Sequence, residues 1–282
     1  MDLYNNIDWT EHDGGKIFPR FSPDCLIFDV DGVLIDVRMS FPELIRAAVE
    51  CEWSGAGFVS DEDGYSDGLN SVLKRHGSFN DDYDIAWILL NICAASGREK
   101  LSEALPLPGE LEKIISSCGG DCVAWARASF PEKFGRGAIR EACFRNYEGG
   151  GGMSGAYLAE TPMLKAHWSA LPLPAYVYTG RDKNEWRLAK KTLGWEDFPD
   201  ARAVTIDSGM MKPSPDGILH ICAAFGHKAP LFFGDTMSDR MALESSGRGR
   251  FVAIGGLPRA GAEYDNVERA LSLLFGWRNG EL

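Results

Sequence analysis

The sequence lacks any long uninterrupted apolar segment. None of its runs approaches the roughly 18 consecutive apolar residues that a membrane-spanning helix needs, so we expect no membrane span. The first residues, MDLYNNIDWTEHDGG, have neither the basic start nor the apolar centre of a signal peptide. These two absences predict a cytoplasmic protein.

Positive charge is also scarce. The 29 Lys and Arg residues face 41 Asp and Glu residues, which gives a formal net charge of -12. An acidic chain repels nucleic-acid phosphates and anionic membrane surfaces, so we expect neither as a partner. A small anionic substrate is still allowed, because a bound metal or a few placed Lys and Arg residues can reverse the local field.

Paired cysteines are missing as well. The seven Cys residues are scattered, and the one close pair, Cys118 and Cys122 in CGGDC, lacks a common zinc spacing and a second pair. Reduced thiols fit this pattern best, which agrees with a cytoplasmic setting. The 282 residues are enough for one large domain or two modest ones, and 45% of them are hydrophobic.

Short apolar runs alternate with helical patterns in much of the chain. These runs are typical of buried strands: CLIF (25–28), AYVY (175–178), AVTI (203–206), LFF (231–233) and FVAI (251–254). Between them, Asp182 and Ser214 are placed to cap helices that end at Gly194 and Gly226. This alternation predicts an α/β fold with a Rossmann-like, doubly wound parallel sheet.

The segment 38–162 carries mostly helical signals instead. Ser40 is a candidate cap for one helix, and DIAWILLNICAA (84–95) is apolar enough for a buried one. We therefore predict a core domain of 1–37 and 163–282, with 1–20 as an N-terminal extension, and an inserted, mainly helical cap domain of 38–162. The glycine run 149–152 follows no strand and precedes no GK[ST], which favours a flexible connector over a phosphate-binding loop.

Polar residues follow four of the predicted strands directly or closely. They are Asp29 and Asp31 after the first, Thr179, Gly180 and Arg181 after the second, Lys212 beyond the third, and Asp235 and Asp239 after the fourth. Ligands of open parallel sheets bind beyond the carboxyl ends of the strands. The four strands therefore bring carboxylates, a hydroxyl and an ammonium group to one edge.

Several carboxylates at one edge repel one another unless a cation lies between them. Mg²⁺ takes oxygen ligands and binds substrate phosphates readily, so we predict a Mg²⁺ site. Asp29, Asp235 and the main-chain carbonyl of Asp31 are its candidate ligands. Asp239 either holds a metal-bound water or simply caps the helix that follows.

The remaining residues at this edge suit phosphoryl transfer. Asp29 beside a phosphate is placed to act as a nucleophile and form an aspartyl-phosphate. Asp31 points to the other side of the extended chain and suits a general acid–base role. The Thr179 hydroxyl and the Gly180 N–H can bind phosphate oxygens, and Lys212 balances the negative charge.

Candidate contacts to the rest of the substrate are fewer. Arg181 either reaches the substrate or only pairs with an acid. In the inserted segment, Phe79, Asn80 and Asp82 lie at the start of an apolar helix. They form a substrate-specificity loop that excludes water, or else Asp82 or Asp84 simply caps that helix.

Four motifs together resemble the haloacid dehalogenase-like superfamily. In chain order they are DVDGV (29–33), YTGR (178–181), KP (212–213) and GDTMSD (234–239). The resemblance covers roughly 22–37 and 163–282, and the helical insertion is placed like the cap of subfamily IA. The stretch LKRHGSFNDDYDIAWILL (73–90) resembles the cap segment of a less characterised branch of that subfamily. The resemblance to the superfamily implies a Rossmann-like core, Mg²⁺ dependence and phosphoaspartyl chemistry.

The preferred interpretation is hydrolysis of a small phosphorylated metabolite by a monomer or homodimer. A sugar phosphomutase is the alternative, since it shares Asp31 and Mg²⁺ but must shield its intermediate from water. Carbon–halogen cleavage does not need the proton relay of Asp31, and phosphonate cleavage would need a Lys in the inserted domain, where Lys74 is the candidate. A non-catalytic phosphometabolite sensor would normally have lost Asp29 or Asp31.

Overall fold

The computed structural model describes residues 21–61, 65, 67–79, 81–149, 154–255 and 263–277. The predicted N-terminal extension, Asn80 and residues 150–152 of the glycine run lie outside these ranges. The chain divides into two compact units. We call Met1–Val37 with Glu160–Leu282 the core unit, and Arg38–Ala159 the helical unit.

All described strands lie in the core unit. They are β1 (Cys25–Phe28), β2 (Ile35–Asp36), β3 (Thr161–Pro162), β4 (Ala175–Tyr178), β5 (Ala203–Val204), β6 (Pro230–Gly234), β7 (Arg250–Ile254) and β8 (Glu263–Tyr264). Six of them form one sheet in the order β5-β4-β1-β6-β7-β8, and every neighbouring pair is parallel. β2 and β3 pair antiparallel in a separate two-stranded ribbon. Since β1 lies between β4 and β6, it occupies the point where the strand order reverses.

The described helices are distributed between the two units. The helical unit contains α1 (Phe41–Gly55), α2 (Asp67–Arg75), α3 (Asp82–Ala95), α4 (Leu101–Ala104), α5 (Pro108–Ile115), α6 (Cys122–Ser129) and α7 (Arg136–Glu148). The core unit contains α8 (Lys183–Leu193), α9 (Asp216–Phe225), α10 (Met237–Ser246) and α11 (Val267–Phe275). Within the described part of the chain, no helix has the length and apolar character to cross a membrane.

Alternation along β1 explains why helices cover both faces of the sheet. Leu26 and Phe28 belong to one apolar cluster with residues of α8 and α11. Cys25 and Ile27 belong to another cluster with residues of α9 and α10. Successive side chains of a strand point to opposite faces, so a strand that is apolar throughout must be covered twice. The predicted doubly wound, Rossmann-like sheet is therefore confirmed.

Apolar runs and helix-capping residues in the sequence predicted several strands and helices correctly. CLIF and AYVY coincide with β1 and β4. Asp182 accepts hydrogen bonds from the N–H groups of Asn184 and Glu185, and Gly194 ends α8 in the left-handed conformation with φ 68°. A left-handed residue at this position is the usual helix terminator, and glycine adopts it without strain.

Three local predictions were wrong in detail. The run AVTI is a strand only over Ala203–Val204, because a 3-10 turn begins at Ile206. The side chain of Ser40 makes no capping hydrogen bond to α1. α3 is capped by Asp81, whose Oδ1 accepts from the N–H groups of Tyr83 and Asp84, and not by Asp82 or Asp84.

The interior of the helical unit is built around α3, which packs against α1 and α7. Trp87 of α3 donates from its indole nitrogen to the carbonyl of Phe134 at 2.8 Å, and Asn91 donates to the same carbonyl at 3.1 Å. Buried Asp84 accepts from Arg136 at 2.7 Å. Each buried polar group of this helix named here thus has a partner, as burial requires.

Candidate active site

The loop after β1 is held closely against the loop after β6. The backbone N–H of Asp29 donates to the carbonyl of Phe233 at 2.9 Å, which extends the sheet pairing by one residue. Gly32 has a φ of +75°, and a Cβ built on it would overlap the carboxylate of Asp235. Glycine is therefore required twice at this position, by the backbone turn and by the close approach of Asp235.

A buried lysine links two of the predicted carboxylates. The Nζ of Lys212 lies 2.7 Å from Oδ1 of Asp29 and 2.6 Å from Oδ1 of Asp239. Burial alone would lower the pKa of Lys212, but Asp239 and Asp29 together raise it well above its usual value. The side chain is 9% exposed and remains an ammonium group at neutral pH.

Asp239 completes the capping box of α10, whose N-cap residue is Thr236, and it also holds Lys212. Its Oδ2 accepts from the N–H of Thr236 at 3.0 Å and from the Thr236 hydroxyl at 2.5 Å, while its Oδ1 accepts from Lys212. Both oxygens of this fully buried carboxylate are thus engaged. This geometry supports the helix-capping alternative and adds a role for Asp239 in placing the lysine.

Asp235 has an unsatisfied oxygen. Its Oδ1 is buried and has no hydrogen-bond partner within the described ranges. Burial first, and then the charges of Asp29 and Asp239, raise the pKa of Asp235 well above its usual range. Burial likewise raises the pKa of Asp29 to about 7, despite the nearby ammonium of Lys212. A buried, unpaired carboxylate oxygen is costly unless something compensates it.

These oxygens fit a hard divalent cation. One oxygen each from Asp29, Asp235 and Asp239 lies within 4.8 Å of the others. Three ionised carboxylates against the single ammonium of Lys212 leave two negative charges, which a divalent cation would neutralise. Oxygen-only donors around a buried acidic pocket are the ligand type that such cations prefer.

Asp31 is held by a buried arginine. Its Oδ1 accepts from Nε of Arg181 at 2.8 Å and from Nη2 at 2.6 Å. Arg181 in turn donates from Nη2 to Oε1 of Glu160 at 2.9 Å and from Nη1 to Oε2 at 3.3 Å. Of the two roles considered for Arg181, these contacts match the pairing with acids.

No family model and no curated protein sequence matches the chain. Comparison of the fold with solved structures does find similar proteins. A phosphatase from Thermococcus thioreducens is 27% identical, with a TM-score of 0.64 over 88% of this chain and 99% of its own. A haloacid dehalogenase superfamily hydrolase of subfamily IA from Geobacter sulfurreducens has a TM-score of 0.50 at 16% identity, over 94% of this chain and all of its own. This chain has the haloacid dehalogenase-like fold.

A third solved structure supports the same fold. A putative phosphoglycolate phosphatase from Lactobacillus plantarum has a TM-score of 0.51 at 14% identity, over 89% of this chain and 99% of its own. In this fold the four motifs follow strands of the parallel sheet, whose carboxyl ends lie at one edge.

The predicted residues fall into two groups in this fold. Asp29, Lys212, Asp235 and Asp239 are linked directly or lie within one cluster, and Asp31 follows the same strand as Asp29. Thr179 and Gly180 follow β4, the neighbour of β1; the Thr179 hydroxyl accepts from the N–H of Arg181 at 3.2 Å, and Gly180 is exposed.

Phe79 and Asp82 belong to the helical unit. Phe79 is 1% exposed and packs edge-on against Trp125. Asp82 pairs with Lys74 at 2.9 Å. The contacts of both side chains named here lie within the helical unit itself.

Glu160 is the site residue that sequence reasoning missed. It lies outside all four motifs, and a single Glu after an apolar stretch carries no recognisable signal. Its partner Arg181 is 21 residues away along the chain. Only the fold shows that this Glu is buried against the residue that holds Asp31.

The buried carboxylate of Asp29 and the buried oxygen of Asp235 predict that divalent cations stabilise the folded chain to an extent that depends on pH. Because the pKa of Asp29 is raised in the folded state, its contribution to stability is complete below about pH 4 and is lost as the pH rises to about 7. A bound cation would offset the negative charge of the Asp29 carboxylate at a pH where no proton does so. We expect Mg²⁺ to raise the midpoint of thermal unfolding, relative to EDTA, by several degrees at about pH 8 and by much less at about pH 5.

Differential scanning fluorimetry at the two pH values measures this effect. The test variant is Asp235→Asn, which removes the charge of the unpaired carboxylate. It should reduce the rise in the midpoint of unfolding that Mg²⁺ causes at the higher pH. An equal Mg²⁺ response of the natural chain at both pH values would contradict the prediction.

Proposed function

We propose that the protein is a Mg²⁺-dependent phosphatase that hydrolyses a small phosphorylated metabolite through an aspartyl-phosphate on Asp29. The observation that carries this proposal is the buried Asp29 carboxylate, held by Lys212 on one oxygen beside the unpaired oxygen of Asp235. A nucleophile with a fixed countercharge and room for a cation is what phosphoryl transfer needs. The 27% identity to a phosphatase over nearly the whole chain supports the same class.

In this proposal Asp29, Asp235 and the main-chain carbonyl of Asp31 would hold the Mg²⁺, which would neutralise phosphate charge when bound. A carboxylate oxygen of Asp29 forms a bond to phosphorus while the bond from phosphorus to the leaving oxygen breaks. Asp31 gives its proton to that leaving oxygen, so that an alcohol departs. Lys212 stays charged and offsets the negative charge that Asp29 and the phosphoryl group share.

The second half of the reaction restores the enzyme. Asp31, now a carboxylate, takes a proton from water, and the water oxygen bonds to phosphorus as the acyl–phosphate bond to Asp29 breaks. Inorganic phosphate leaves, and Asp29 is again a free carboxylate. The Thr179 hydroxyl and the N–H of Gly180, an exposed residue, bind the phosphoryl oxygens in both halves.

The helical unit completes the proposal as the cap of this enzyme. The segment that contains Phe79, Asn80 and Asp82 supplies substrate specificity, and the enzyme works in the cytoplasm as a monomer or homodimer on a small soluble phosphate ester. Lids that exclude water favour phosphoryl transfer over side reactions.

Phosphate release from a panel of small phosphate monoesters tests the proposal. We expect release from one or a few of them in Mg²⁺ and none in EDTA, because without the cation Asp29, Asp235 and the substrate phosphate repel one another. Isomerisation that needs a bisphosphate activator and releases little phosphate would replace hydrolysis by a mutase reaction. Tight binding of an ester without turnover would instead indicate a sensor.

A further inference from the structure

An ion triad of Asp31, Arg181 and Glu160 connects three separate segments of the core unit, and only Asp31 is partly exposed, at 32%. Arg181 is 1% exposed, and the side chain of its partner Glu160 is fully buried. Asp31 follows β1, Arg181 follows β4, and Glu160 directly precedes β3. Removing one member of a buried ion pair leaves the charge of the other uncompensated, so Arg181 and Glu160 depend on each other.

We propose that Glu160 and Arg181 are positioning residues that hold the Asp31 carboxylate for proton transfer. The inference rests on the proposed phosphatase function and names two residues through which its acid–base group is oriented. The hydrogen bonds from Nε and Nη2 of Arg181 both fall on the single Asp31 oxygen Oδ1. The other oxygen, Oδ2, is thereby left to exchange a proton with the leaving group and with water.

Glu160 accounts for the one-oxygen contact. An arginine facing a single carboxylate usually forms a two-pronged pair that engages both oxygens. Here the Nη1 and Nη2 groups of Arg181 reach the two oxygens of Glu160, at 3.3 Å and 2.9 Å. Nε and the shared Nη2 remain for Asp31, and they converge on one oxygen. Without Glu160, the guanidinium group would be free to turn and engage both oxygens of Asp31.

The backbone fixes the spacing of the triad. β2 and β3 pair with Ile35 opposite Pro162 and Asp36 opposite Thr161, so Glu160 is attached directly to the first residue of β3 in this ribbon. The loop that carries Asp31 is tied to the same ribbon, since the N–H of Gly32 donates to the carbonyl of Ile35 at 2.9 Å. The two carboxylates on either side of Arg181 are therefore mounted on one small piece of structure.

Leaving-group chemistry gives a readout that a purely structural role would not move. Expulsion of an alkoxide needs a proton from Asp31, whereas p-nitrophenolate leaves without one. We expect Glu160→Gln and Arg181→Lys each to lower kcat/KM for an alkyl phosphate by about 10- to 100-fold, and for p-nitrophenyl phosphate by less than about 3-fold. The comparison is made in Mg²⁺ with the full chain.

The ratio of the two activities is measured in one preparation, so it does not depend on how much of a variant is folded. Asp24→Asn is the matched control. Asp24 directly precedes β1, at the opposite end of that strand from Asp31, and its carboxylate accepts from the N–H groups of Lys228 and Ala229, which directly precede β6. This variant should leave the ratio unchanged. Equal loss of both activities in the two triad variants, or no loss in either, would overturn the inference. The alkyl phosphate used is the one that the natural chain hydrolyses fastest in the monoester panel. Inactivity of the natural chain towards every ester of that panel would overturn the proposed function and this inference with it.

Discussion

Asp29→Asn is expected to abolish Mg²⁺-dependent phosphate release, with a loss of at least about 10⁴-fold in kcat. An amide has the shape of the carboxylate but cannot attack phosphorus, so no aspartyl-phosphate forms. The fold should survive. Lys212 keeps its 2.6 Å contact with Asp239, and the substitution removes a buried carboxylate whose pKa is raised to about 7.

Phosphate release and thermal unfolding measured on the same sample check both halves of this expectation. We expect the midpoint of unfolding in EDTA at about pH 8 to be unchanged or higher, because ionisation of buried Asp29 destabilises the folded state there. Asp200→Asn is the control, since it removes an exposed carboxylate that pairs with Lys190 at 2.7 Å. Clear turnover by the Asp29→Asn chain would rule out Asp29 as the nucleophile.

Lys212→Met is expected to damage both activity and stability. The thioether side chain has a similar length but leaves the carboxylates of Asp29 and Asp239 without their shared ammonium. We expect kcat/KM to fall by about 10³-fold, because a fixed charge at the phosphoryl group is lost. The free energy of unfolding should fall by about 3–5 kcal/mol at neutral pH, which is the usual result of removing one member of a buried ion pair.

Urea unfolding at two pH values separates this effect from general damage. Burial already raises the pKa of Asp29, and loss of the ammonium would raise it further, so the loss of stability should be largest at neutral pH and smaller in acid. Lys190→Met is matched in chemistry but pairs with an exposed partner, and it should cost less than about 1 kcal/mol. The same unfolding free energy for Lys212→Met and the natural chain would contradict the buried pairing.

The parts of the fold that were predicted correctly depend on neighbouring residues. A strand of four apolar residues must be covered on both faces, and Asp182 with Glu185 is a complete local cap, so β1 and α8 follow from short segments. Asp29 and Lys212 were assigned to one edge because parallel strands end at the same edge of a sheet. None of these inferences needed a contact between side chains that lie far apart in the sequence.

The errors have a physical reason too. In the run DDYD, each aspartate can accept from an N–H two or three residues later, so sequence alone does not choose Asp81 as the cap of α3. Glu160 and Arg181 meet only because β1, β3 and β4 are brought together by the fold. Contacts of this kind have no periodicity or spacing that a single sequence would display.

The pairing of β2 with β3 has a consequence for how such a chain can change. The core unit ends at Val37 and resumes at Glu160, at the open end of one antiparallel ribbon. Topologically, the 122 residues from Arg38 to Ala159 are therefore a very long hairpin loop. Such a loop can be lengthened, shortened or exchanged while the strand order and register of the sheet stay the same. New substrate-recognition residues can therefore arise in this loop while the strands that position Asp29 keep their order and register.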